Sequence, residues 1–281
     1  MTTATKLTIG DLEVAYSESG SGEPLILLHG GESARLQYDG FRPLLGDGIR
    51  AIAYDQRDTG ESVNPASPYG IADLARDCAA LIRGLGYERA HVFGASFGGM
   101  IALQLAITVP EVVHTLTLGA TLSRVPFDPG SAVSDITSRS PSQRDREMLD
   151  FVLSPAGQAC EELVAETMAA LVHRPEDADA RRLDAIRTFD VTSQLPEITV
   201  PTLLVYGAED LLATPAEGRT IAAAIPGARF EVIPKLRHGI TLEGKLILAA
   251  LLREFVRSHP LPPEKPRPAS RPVHRDRFSE A

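Results

Sequence analysis

The sequence predicts an α/β fold, a mostly parallel central sheet flanked by helices and carrying a helical insertion. Three observations lead there. Short apolar runs alternate with stretches of helical period up to residue 119, the pattern of parallel strands joined by right-handed crossovers. Between about 120 and 196 this rhythm gives way to charged, proline-punctuated helical segments, and from 200 to 257 it resumes. With 281 residues and 43% hydrophobic composition, the chain suits one core with an insertion better than two independent domains. Residues 1–121 and 196–258 are therefore expected to form the core, 122–195 a helical lid and 259–281 a disordered, Pro-rich tail.

The elements follow in order. Residues 6–18 alternate apolar and polar about Gly10-Asp11, which predicts a β-hairpin. The run Pro24-Leu25-Ile26-Leu27-Leu28 reads as a strand covered on both faces, and a helix is expected over 34–45. A strand at 49–54 precedes a helix at 71–83 with the stripe Ile71, Leu74, Ala75, Cys78, Leu81, Ile82, which stops at Gly84 and Gly86. Strand 91–95, helix 97–108 and strand 112–119 come next. Helical segments are expected at 142–153, 155–172 and 175–189. Their apolar residues Phe151, Leu163, Met168 and Leu171 recur at helical spacing, as packing residues do. A strand at 200–206 leads to a helix at 214–224 with Thr214 as cap and Pro215 in the first turn. Strand 228–233 and an amphipathic helix at 241–257 complete the core. Beyond it, six prolines among mixed charges cannot build a core.

Charge and composition exclude several roles. A net charge of −9 and a pI near 5.3 argue against a nucleic-acid partner, which needs a concentrated basic surface. The first residues lack the apolar run of a secretory signal, and no stretch approaches the roughly 18 uncharged apolar residues of a membrane span, so a soluble, cytoplasmic protein with no membrane partner is expected. Cys78 and Cys160 show neither metal-ligand nor C-x-x-C spacing, hence two reduced thiols, with Cys78 in the core. No metal and no cofactor is expected.

The segment Gly94-Ala95-Ser96-Phe97-Gly98 joins a strand directly to a helix. Glycines on either side of Ser96 let the two elements meet at a turn too sharp for larger side chains, which lifts the hydroxyl clear of the sheet. Ser96 is the candidate nucleophile. A serine hydroxyl needs a base, a group to orient that base, and donors for the developing oxyanion. His238, in the loop after the last strand, can reach back over the sheet edge as the base. Six other histidines lie elsewhere: in the first glycine-rich loop (His29), in strands (His91, His114), in the insertion (His173) and beyond the last helix (His259, His274). Asp210, after the preceding strand, is the candidate orienting acid, with Glu209 a solvated neighbour. The backbone N–H groups of Phe97 and Gly31 are the candidate oxyanion donors. His29 is expected to brace its loop. The run Asp55-Gln56-Arg57-Asp58-Thr59-Gly60-Glu61-Ser62 is expected to be structural, its side chains hydrogen-bonding a tight loop beside the site. Glu32 is either a solvated loop residue or a carboxylate that meets a cationic group of the substrate.

The combination of His29-Gly30-Gly31, the Ser96 turn, Gly207-Ala208-Glu209-Asp210 and His238 resembles the α/β-hydrolase superfamily over residues 6–258. The run Tyr54 to Ser62 is similar to the corresponding loop of aclacinomycin-methylesterase-like hydrolases. Asp55-Gln56-Arg57 is also similar to proline iminopeptidases, but those usually continue His-Gly-Gly with Pro-Gly and place Trp after the nucleophile, where this chain has Glu32-Ser33 and Phe97. The resemblance implies a serine hydrolase of small-molecule carboxylic esters, a methyl ester or lactone among them. An amidase or aminopeptidase with the same triad is the alternative within enzymes, and a matched ester and amide would separate the two. A non-catalytic receptor on the same fold is the alternative outside them, recognised by tight binding without product.

Overall fold

The computed structural model describes residues 4–126 and 141–262. Among these, eight strands form one sheet: β1 (Thr5–Ile9), β2 (Leu12–Ser19), β3 (Gly22–Leu28), β4 (Gly48–Tyr54), β5 (Ala90–Ala95), β6 (Val113–Gly119), β7 (Thr202–Gly207) and β8 (Arg229–Ile233), in the order β1-β2-β4-β3-β5-β6-β7-β8. The pairs β1–β2 and β2–β4 are antiparallel and the rest parallel. The first hairpin forms where alternation meets Gly10-Asp11: Ile9 faces Leu12, and Gly10 takes φ +60°, the left-handed conformation a two-residue turn needs.

The helices are α1 (Ile71–Gly84), α2 (Phe97–Thr108), α3 (Pro141–Val152), α4 (Pro155–Gln158), α5 (Glu161–Ala170), α6 (Glu176–Arg187), α7 (Pro215–Ala224) and α8 (Lys245–Ser258). Strand alternation decides which of them meet which side chains. Ile26 and Leu28 pack with Leu74, Cys78, Ile101, Leu105 and Ile221 of α1, α2 and α7. Leu25 and Leu27 pack on the opposite face with Tyr38, Phe41, Leu248 and Leu252. Each of these fully buried aliphatic side chains contributes about 1.5–3 kcal/mol relative to exposure. Cys78 is buried in the first layer, and burial pushes its thiol up to about 12, which leaves it inert at neutral pH.

Three expectations about elements are revised. The helix anticipated at 34–45 is two 3-10 turns, Arg35–Tyr38 and Arg42–Leu45. Asp55 takes the Arg35 N–H at 2.8 Å, and Gly40 and Pro43 interrupt what remains. The segment at 155–172 divides into α4 and α5 at Ala159-Cys160. The last helix starts at Lys245, because 239–244 are used in turns around the His238 loop, with Leu242 and Glu243 donating to the Gly239 carbonyl.

Between β6 and β7, helices α3 to α6 lie beside the carboxyl ends of the strands; residues 127–140 of the expected lid fall outside the described residues. Of the expected tail, His259 to Pro262 are described. The His259 carbonyl accepts from His114 Nε2 at 3.0 Å, and the Leu261 N–H donates to Glu23 at 3.2 Å. The remaining 263–281 lie outside the described residues. No helix among the described residues is long and apolar enough to cross a membrane.

Candidate active site

Ser96 sits where β5 passes into α2 with φ +53° and ψ −119°, a conformation that costs a non-glycine residue roughly 1–3 kcal/mol. The surroundings impose it. Ser96 N–H donates to the Gly119 carbonyl at 2.8 Å, and Thr121 Oγ1 donates to the Ser96 carbonyl at 2.6 Å. A Cβ on Gly94 would run into the Gly98 carbonyl, and one on Gly98 into the Leu28 carbonyl. The two motif glycines therefore exist for close approach, and the half-buried Ser96 side chain is the part left facing the cavity.

His238 follows β8 in a loop pinned by the insertion: its N–H donates to the Phe151 carbonyl at 3.0 Å, and the Gly239 N–H to the Val152 carbonyl at 2.8 Å. Its Nδ1 lies 2.9 Å from Asp210 Oδ2. Asp210 is buried and its second oxygen accepts the N–H groups of Leu212 at 2.8 Å and Ala213 at 3.0 Å, which fixes the carboxylate. Burial alone would lower the His238 pKa, but the charge and hydrogen bond of Asp210 outweigh it and the net shift is upward. Glu209, the neighbouring carboxylate, is exposed.

Ser96 and His238 line one cavity of about 200 Å³ together with Gly31, Glu32 and Phe97. Its walls are largely apolar, with Met100, Leu122, Val125, Met148, Val152, Leu171, Ile186 and Leu212. All of these but Met100 and Leu212 come from the insertion, Leu171 among them. Phe151 and Leu163 pack with Met148 and Val152, and Met168 is 38% exposed. The Gly31 and Phe97 backbones are adjacent, a Cβ on Gly31 falling 3.7 Å from that of Phe97. Neither N–H has an acceptor among the described residues. Glu32 stands at the cavity edge, 39% exposed and 3.4 Å from Arg174 of the insertion. The structure thus brings all six predicted residues to one place.

Behind the cavity, the Asp55 to Ser62 loop is a hydrogen-bonded frame. Asp55 is fully buried against Arg35, Arg57 pairs with Asp77 at 2.7 Å, and Asp58 pairs with Arg181 at 2.9 Å. His29 Nδ1 is 2.9 Å from the Gly30 carbonyl, and its Nε2 accepts the Gln56 N–H at 3.3 Å. Burial first, then the charge of Arg182, push its pKa far down, so His29 is a neutral brace. Sequence reasoning passed over Arg182 itself. On a helix rich in charge it reads as a solvated residue, yet it is 3% exposed with its guanidinium 3.9 Å from the centre of the Phe97 ring. Among the described residues no cluster of three His, Cys, Asp or Glu side chains could hold a metal.

The doubly covered sheet, the serine at the strand–helix turn and the later Asp–His pair define an α/β-hydrolase architecture. The family model for the alpha/beta hydrolase fold matches residues 23–169. The chain belongs to this family. It is 33% identical to rhodomycin D methylesterase DnrP of Streptomyces peucetius, over 90% of this chain and 98% of that one. It is 29% identical to RutD of Variovorax paradoxus (strain S110), provisionally named a carbamate hydrolase, over 84% and 92% of the two chains. Among solved structures, a thermophilic esterase from Thermogutta terrifontis superposes with a TM-score of 0.82 at 26% identity, covering 92% of this chain and all of the other.

Proposed function

We propose that the protein hydrolyses small carboxylic esters through an acyl-enzyme on Ser96. The observation that carries this reading is the shared cavity: a strained serine and a histidine oriented by a buried aspartate both line it. With Asp210 accepting from Nδ1–H, the other ring nitrogen of His238 is left free to accept the Ser96 proton. Oγ attacks the ester carbonyl, and the tetrahedral oxyanion is received by the N–H groups of Gly31 and Phe97. The imidazolium, stabilised by Asp210, then gives its proton to the leaving alcohol. Water, deprotonated by the same histidine, releases the acid from Ser96.

The apolar walls favour an uncharged, hydrophobic acyl or alcohol part. A dry void of about 150 Å³ accepts benzene, so about 200 Å³ encloses a group of roughly one ring beside the scissile bond. Larger substrates project through the mouth beneath the insertion, which acts as a lid that selects among them. Glu32 already has Arg174 as its counter-ion, which favours an ester over an amine-bearing peptide. The methylesterase and esterase names of two relatives support the same choice, while the provisional carbamate name of RutD keeps the matched amide in the test. The Ser96→Ala variant loses ester turnover and fluorophosphonate labelling; undiminished turnover in that variant would sink the mechanism, and faster cleavage of a matched amide would reassign the substrate.

A further inference from the structure

The loop that carries Gly31 is not held by the core alone. Arg182 on α6, 151 residues further along the chain, donates Nε–H to the Gly31 carbonyl at 3.1 Å. Its Nη2 reaches the Gly30 carbonyl at 3.4 Å and Gln56 Oε1 at 2.7 Å. Gln56 in turn donates Nε2–H to the His29 carbonyl at 3.0 Å, and His29 Nδ1 approaches the Gly30 carbonyl at 2.9 Å. Three successive carbonyls are thus drawn toward one buried guanidinium and its partners.

The consequence follows from peptide geometry. No peptide bond among the described residues is cis, and in a trans peptide the carbonyl of one residue and the N–H of the next point in opposite directions. Drawing the Gly30 carbonyl back toward Arg182 and His29 turns the Gly31 N–H the other way, toward the cavity. The same guanidinium lies over the ring of Phe97, 3.9 Å from its centre, and the Phe97 N–H is the second donor. One side chain therefore touches both halves of the proposed oxyanion hole without lining the cavity. The backbone of the insertion reinforces the arrangement: Val172 N–H donates to the Glu32 carbonyl at 2.9 Å, and Leu171 bridges to Ser33. Burial and the nearby charge of Arg174 pull the Arg182 pKa down only to about 10, so it stays a cation at neutral pH.

We propose that Arg182 is a positioning residue: delivered by the insertion, it holds the Gly30 and Gly31 carbonyls back so that the Gly31 N–H stays aimed at the Ser96 cavity. The inference rests on the ester-hydrolase reading and makes the insertion part of the catalytic apparatus as well as its cover. Docking of α6 and assembly of the oxyanion hole become one event.

The test compares Arg182→Met and Arg182→Lys with the wild type, using a p-nitrophenyl ester and a trifluoromethyl ketone whose hemiketal oxyanion needs the same donors. Removing one oxyanion donor outright lowers kcat by ~10²–10³-fold, so Arg182→Met should lose kcat by ~10²-fold with KM little changed, and ketone affinity should fall in parallel. Arg182→Lys, with the charge but not the fork, should fall between. A folded Arg182→Met enzyme with wild-type kcat and ketone affinity overturns the proposal, as does a rise in KM alone, which would mark a substrate contact. Should the Met variant fail to fold, Arg182→Lys decides: parallel loss of kcat and ketone affinity supports the proposal, and unchanged values refute it. Fluorophosphonate labelling of wild-type Ser96 is read separately. Its absence removes the ester-hydrolase reading and this proposal with it, whereas its presence leaves the Arg182 variants to judge the positioning role alone.

Discussion

Replacing Asp210 by Asn changes one atom and isolates the orienting role. The carboxylate has two separate tasks: Oδ1 accepts the N–H groups of Leu212 and Ala213, and Oδ2 accepts from His238 Nδ1. An asparagine keeps the first by leaving its carbonyl oxygen at Oδ1, which forces its NH₂ toward His238. Nδ1 must then accept, the ring proton moves to Nε2, and the nitrogen required to take the Ser96 proton is already protonated. An equivalent change in a serine protease triad lowers kcat ~10⁴-fold, or about 5.5 kcal/mol in the barrier, and the buried geometry here predicts a loss of that order. The fold should survive, since both backbone bonds are kept. Burial also loses its opponent, so the His238 pKa should drop below its wild-type value. Steady-state kinetics with a p-nitrophenyl ester and NMR titration of His238 provide the readouts. A folded Asp210→Asn enzyme within tenfold of wild-type kcat would refute the reasoning, as would an unchanged His238 pKa.

Other outcomes follow from the same contacts. The His238 pKa is raised, so kcat/KM should fall as pH drops through a value above the ordinary 6.5, and Asp210→Asn should shift this limb to lower pH. The sign for stability is opposite: that contribution is fully present below the unfolded-state pKa of about 6.5 and is lost as pH rises through the folded value, measurable as a urea midpoint against pH. Arg35→Met strands the buried Asp55 carboxylate and should destabilise by about 3–5 kcal/mol; an unchanged urea midpoint would contradict the pairing. Gly98→Ala drives a methyl into the Leu28 carbonyl and should destabilise by roughly 1–3 kcal/mol, seen in the same assay.

What could be read from the sequence was local. The hairpin at Gly10-Asp11, the α1 stripe, the glycine-flanked Ser96 and the Thr214 cap of α7 with Pro215 in its first turn each depend on residues within a few positions of one another. Asp210 and His238 could be nominated because each follows a strand, in the order that the resemblance implies. The 34–45 segment misled because its apolar spacing fits a helix while the group that claims its N–H, Asp55, lies on another element. Arg182 was illegible for the same reason at longer range: nothing in Asp179-Ala180-Arg181-Arg182-Leu183 separates the arginine facing Asp58 from the one under Phe97. Periodicity reports which face of a helix is apolar, and a buried cation on such a face is visible only once its carbonyl partners are in place.

The central claim is covalent chemistry on Ser96, and trapping the acyl-enzyme tests it most directly. Excess p-nitrophenyl ester is mixed with the enzyme, quenched in acid within the first turnover and digested for mass spectrometry. The account predicts a burst of nitrophenol stoichiometric with enzyme and an acyl group on the peptide bearing Ser96, both absent in Ser96→Ala. Steady turnover without a burst or adduct, and undiminished in Ser96→Ala, would contradict it.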